Sequence, residues 1–68
     1  MAKRHVPYEI RFIALTRNAN GTLSVYDIIE TSYHYAGYFF RRFERESDVC
    51  MVDVYSRDNV HSRRVEFH

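Results

Sequence analysis

Five side chains at helical spacing carry most of the chemistry this chain can offer: His34, Tyr38, Arg41, Arg42 and Arg45. In a helix over residues 33–46, YHYAGYFFRRFERE, they share one side, while Tyr33, Ala36, Phe39, Phe40 and Phe43 share the other. Arginine makes planar, two-pronged contacts with carboxylates and phosphates and stacks on rings. The basic side is therefore suited to docking an anionic surface, with Tyr38 supplying a ring beside the charges. The plain alternative is a solvated face balanced by Glu44 and Glu46. Arg41 and Arg45, like charges four residues apart, mildly oppose the helix that would present them.

The remaining reactive residues form no catalytic pattern. Cys50 is the chain's one cysteine, so no intrachain disulfide can form, and His5, His34, His61 and His68 are too scattered for a zinc motif. Cys50 alternates with Val52 and Val54 and is expected to be a small buried hydrophobe; a nucleophile would want an activating neighbour and partial exposure. Asp27, Glu30, Asp48, Asp53 and Asp58 show neither metal-loop nor paired acid–base spacing. No glycine-rich phosphate loop and no nucleophile elbow is present. The expectation is a protein that is not an enzyme and that uses no metal and no cofactor. RNA-recognition, helix-turn-helix and zinc-finger signatures are likewise missing.

A chain of 68 residues holds one hydrophobic core. Its hydrophobic fraction of 46% fits a folded domain. Domains this small usually need support from a disulfide, a metal or self-association; here aromatic packing and a second copy are the candidates. All but Lys3 of the ten basic residues are arginine, which fits either a specific interface or a GC-rich coding sequence. The net charge of +1 argues against strong non-specific binding to nucleic acid. No apolar run reaches the ~18 residues that span a bilayer, and residues 1–9 lack the apolar segment of a signal peptide. A single free cysteine fits a reducing compartment, so a cytoplasmic location is expected.

Residues 1–6 read as a short N-terminal arm and residues 7–68 as a single α+β domain, with Pro7 tolerated at a strand start. Residues 8–16, YEIRFIALT, are apolar on both faces, as a central strand requires. Asn18-Ala19-Asn20-Gly21 marks a hairpin turn, and residues 22–29 read as the returning strand. Residues 24–30 also fit an N-terminal extension of the helix. The β-branched Val25, Ile28 and Ile29, with Thr31-Ser32 as a helix cap, favour the strand. Gly37 falls within the helix, at a cost of about 1 kcal/mol relative to alanine. Residues 49–56 form the third strand, Arg57-Asp58-Asn59 a second turn, and residues 60–67 a charged edge strand. The result is ββαββ: a four-stranded antiparallel sheet in the order 2-1-3-4, with one helix on one face.

One helix covers one face. The other is expected to present Arg11, Ile13, Leu15, Met51, Asp53 and Tyr55, with Ile13, Leu15 and Met51 as an exposed apolar patch, a second candidate interface that a homodimer could use. The expected function is a small non-enzymatic protein-interaction module that acts sterically on a partner protein. In size and economy it is similar to the compact inhibitors that bacteriophages make against host defence complexes, such as anti-CRISPR proteins. That similarity is one of style, and no motif carries it. The alternative is a small nucleic-acid-binding or regulatory protein using the same Arg/Tyr surface.

Overall fold

The computed structural model describes residues 8–67; the expected arm over residues 1–6 and the role of Pro7 lie outside them. Within them β1 (Ile10–Arg17), β2 (Leu23–Thr31), α1 (Tyr33–Arg45), β3 (Met51–Ser56) and β4 (His61–Glu66) follow one another. The four strands form one antiparallel sheet in the order β2-β1-β3-β4. That is the ββαββ arrangement the sequence implies, and residues 24–30 are strand. No helix among the described residues is long and apolar enough to cross a membrane.

Both hairpin turns rest on residues that accept positive φ. Gly21 sits at φ 89° and Asn59 at φ 67°. Asn18 donates its N–H to the Thr22 carbonyl at 2.7 Å, and Gly21 donates to the Asn18 carbonyl at 2.9 Å. In the second turn Ser56 donates to the Val60 carbonyl and Asn59 to the Ser56 carbonyl, both at 2.9 Å.

The core lies between α1 and the sheet. Phe12, Ala14, Phe43, Val49, Val52 and Val54 are buried together, with Ile10, Ile29, Ala36, Phe39, Phe40 and Phe67 packed around them. Phe12 meets Phe43 edge-on at 6.4 Å, and Phe40 meets Phe67 the same way at 5.4 Å, an arrangement that adds to simple burial.

Two core assignments change. Tyr33, on the aromatic side of the helix by its spacing, is 65% exposed. It opens the helix at the end of the sheet where β1 begins, beyond the last residue that could cover it. Cys50 is half-buried, and Val49 enters the core instead. The cause is the turn that follows α1: Val49 donates to the Glu46 carbonyl at 3.1 Å, so strand alternation begins only at Met51.

Ser32 stands at the N-cap with extended backbone, but its side chain makes no capping bond. The Tyr33 N–H instead donates to the Glu9 carboxylate at 2.9 Å. The first turn of α1 contains no acidic residue, so Glu9 is both a cap and a favourable charge at the positive end of the helix dipole. Replacing Glu9 by alanine is expected to cost about 1 kcal/mol in urea denaturation, and by glutamine only a fraction of that. Equal losses for the two variants would assign the effect to charge rather than to the cap.

Candidate functional site

α1 lies over β1 and β2, which leaves the β3–β4 half of that face less covered. On its outer side His34, Tyr38, Arg41, Arg42 and Arg45 are all exposed, as their spacing implies. Four of them are brought together: Tyr38, Arg41, Arg42 and Arg45 line a shallow cleft of about 420 Å³ together with Glu46. His34 stands nearer the helix start, edge-on to Tyr35 at 4.7 Å. The Glu46 carboxylate also acts on Tyr26, whose phenol it holds above its ordinary pKa.

Among the described residues, Arg41, Arg42 and Arg45 have no hydrogen-bond or ion-pair partner, and neither has Arg63 on the same side of the sheet. The arginines of the opposite face are engaged. Arg11 donates from Nε to Glu30 at 3.0 Å, from Nη1 to Asn59 at 2.8 Å and from Nη2 to the Tyr8 hydroxyl at 2.7 Å. Its guanidinium also lies 5.5 Å from the centre of the Tyr8 ring. Arg64 grips Asp53 with two bonds, Nε to Oδ1 at 2.7 Å and Nη2 to Oδ2 at 2.8 Å. His61 Nε2 lies 3.1 Å from the same Oδ1. An ionised carboxylate only accepts, so Nε2 carries the proton in that contact.

Asp53 is buried, and these donors decide its ionisation. The Arg64 bonds hold its carboxyl below the usual range, His61 adds to them, and burial opposes both. Asp53 and His61 suggest two members of an acid–base relay. Both carboxylate oxygens are occupied by Arg64, however, and His61 faces the ring of Tyr55 at 5.1 Å. The cluster reads as a structural clasp between β3 and β4.

The open face differs from the apolar patch expected there. Leu15 and Met51 are buried, at 8% and 4% exposure, and Ile13 is half-buried. They occupy the two inner strands, and each lies within a row of four cross-strand neighbours: Ile28, Ile13, Asp53, Arg64 and Val25, Leu15, Met51, Glu66. The flanking side chains of the outer strands shade them. Arg11, Asp53 and Tyr55 belong to the intrachain contacts described above rather than to a free surface. Apolar exposure sits instead on β2, where Val25 is 57% and Ile28 51% exposed, with Leu23 beside them. A bulge leaves Tyr26 without a cross-strand partner and so puts Leu23, Val25 and Ile28 on one face. Nothing in the sequence marks that insertion.

Comparison with protein-family models, with curated proteins and with solved structures finds no match. Functional reasoning therefore rests on the chain's own geometry. Among the described residues no group of three or more His, Cys, Asp or Glu side chains is placed to share a metal ion.

Proposed function

We propose that this protein is a small non-enzymatic interaction module that occupies an anionic surface of a partner protein through α1. The observation that carries this reading is the division of the arginines. Those on the open face are consumed by intrachain contacts, whereas Arg41, Arg42, Arg45 and Arg63 converge unpaired on the helix side. Unpaired guanidinium groups beside exposed rings are the side chains that dominate protein interfaces. In its narrower form the module blocks a working surface of a larger complex by steric occupation, as compact phage-made inhibitors do.

The test uses a purified partner, recovered by capture and then titrated. Single Arg→Ala variants at 41, 42 and 45 are expected to weaken binding unevenly, one or two of them by more than about tenfold in Kd, with modest salt dependence. A nucleic-acid target would behave otherwise. Labelled DNA or RNA would lose affinity similarly at each position, and the slope of log affinity against log salt would fall by roughly one per arginine removed. A triple Arg→Ala variant that binds like the unmodified protein would reject the α1 surface altogether.

Self-association is a second element of the proposal, supported by the exposed Leu23, Val25 and Ile28 on the edge strand β2. Sedimentation at rising concentration should show a dimer that Ile28→Lys dissociates. The β2 edge itself is partly closed, because the Ile28 N–H donates to the carboxylate of the preceding residue, Asp27, at 2.8 Å. The contact would therefore run through side chains on the face rather than through a continued backbone ladder. A monomer at every concentration would remove this element.

A further inference from the structure

Beside the arginine ridge, between α1 and the outer half of the sheet, runs a second depression of about 340 Å³. Its floor is apolar: Phe12 and Val54 lie at the bottom, with Ile10, Ala36, Phe40 and Val65 along the sides. Its size is at the lower end of the range of ligand pockets, about 300–1,000 Å³, and admits a bulky side chain rather than a whole cofactor. Gly37 forms part of the helical wall, and Arg41 and Arg63 stand on opposite rims.

The groove exists for identifiable reasons. α1 approaches β1 and β2 most closely, and the buried Val54 and half-buried Val65 line the opening from β3 and β4. Gly37 contributes no side chain where one would project into the opening. A Cβ there would meet only the Arg41 Nη2, at 3.7 Å, an ordinary contact. Neither backbone strain nor crowding thus requires glycine at this position, although glycine costs helix stability. In the regular part of the β3–β4 ladder Arg63 lies opposite Val54 and Arg64 opposite Asp53, so strand alternation puts the two adjacent arginines on opposite faces. Arg64 is bound by Asp53, whereas Arg63 and Arg41 have no acidic partner among the described residues.

We propose that this groove receives a partner polypeptide segment in which one bulky apolar side chain is flanked by carboxylates. The apolar side chain fills the space over Phe12 and Val54, and Asp or Glu on either side of it meets Arg41 and Arg63. Charge complementarity selects this occupant: the two rims are cationic and unpaired, and the space between them is apolar. The inference rests on the reading of α1 as a docking surface and narrows it. Arg41 belongs to both depressions, so one acidic segment can cross the ridge and seat its anchor in the groove.

The test uses three labelled octapeptides: a Leu-Phe pair flanked by Glu, the same pair flanked by Lys, and a Ser-Ser pair flanked by Glu. The first is expected to bind at least tenfold more tightly than either of the others. Its amide shift changes should centre on Gly37, Phe40, Val54 and Val65. Gly37→Trp, which fills the groove, should weaken it at least tenfold, while Gly37→Ala serves as the folded control. Arg63→Glu should reverse the preference toward the Lys-flanked peptide.

Failure has distinct forms. If Arg42→Ala and Arg45→Ala abolish binding while Gly37→Trp and Arg63→Glu leave it intact, the groove is rejected and the α1 ridge stands. If neither set of variants alters binding, both readings fall. Absence of binding by the Glu-flanked Leu-Phe peptide at millimolar concentration also overturns the proposal. So does selective binding of a single-stranded oligothymidine that Gly37→Trp weakens, which would assign the groove to a nucleobase.

Discussion

Phe43→Ala is expected to unfold this protein at or near room temperature. Phe43 is 1% exposed and stands edge-on to Phe12, within the cluster that joins α1 to all the buried valines. Truncating a buried phenylalanine costs about 3–5 kcal/mol, because transfer energy is lost and a cavity remains. A domain of this length has a total stability of only about 3–10 kcal/mol. No disulfide can make up the difference, since Cys50 is the chain's one cysteine. The contrast is Tyr33→Ala, one residue past the cap and of similar size. Its ring is largely in solvent, so the change should stay within about 0.5 kcal/mol. Urea denaturation of the two variants side by side checks the pair. A Phe43→Ala midpoint close to that of the unmodified protein would mean that the core lies elsewhere.

That pair also shows what the sequence disclosed. The strand-forming run over residues 8–16, the Asn-Gly turn and the aromatic side of α1 are local signals, and each produced the element it implied. Short connections implied the strand order, which places the two most apolar strands in the middle. Tyr33 was misplaced because helical periodicity assigns an angle and not a position. It cannot tell whether the sheet extends as far as the first turn. Leu15 and Met51 were expected to be exposed for a related reason: alternation gives the face but not the shading by neighbours on both sides. Both bulges were hidden, since an extra residue in a ladder leaves no mark of its own in composition.

The arginines illustrate the same limit at the candidate site. The ridge of Arg41, Arg42 and Arg45 was legible from 3.6-residue spacing alone. Arg63 and Arg64 read alike, as charge intruding on an edge strand. Strand alternation divides them, with Arg64 in the clasp on Asp53 and Arg63 at the groove rim, and the bulge that passes over Ser62 brings His61 to the face of Arg64. Gly37 showed in the sequence only as a residue that costs helix stability. A Cβ there would meet only the Arg41 Nη2, at an ordinary 3.7 Å, so no close approach calls for glycine. Glu9 as the helix cap was equally invisible, because it lies 24 residues from the N–H it accepts.

Asp53 is the polar position with the largest expected effect. Its carboxylate is buried on the open face and receives both prongs of Arg64 and the Nε2 of His61. Asp53→Asn keeps the shape but removes the charge and one acceptor oxygen, and it turns an amide N–H₂ toward the guanidinium. Bonds to a charged group contribute about 1.5–3 kcal/mol, and a cost in that range is expected at neutral pH. The pH dependence follows from the direction of the shift. The folded-state pKa is depressed, chiefly by the Arg64 bonds, below the unfolded value of about 3.9. The contribution is therefore complete above that value and is lost as pH falls through the folded-state pKa. Unmodified protein should lose stability on acidification below about pH 4, while Asp53→Asn, lacking the titrating group, loses less. The two stability curves should be furthest apart at neutral pH and should converge in acid. Arg64→Lys is the companion variant, because an ammonium cannot reproduce the two-pronged contact and should shift the acid limb in the same direction. A gap between Asp53→Asn and the unmodified protein that stayed constant from pH 7 to pH 2 would show that the clasp contributes packing and not charge.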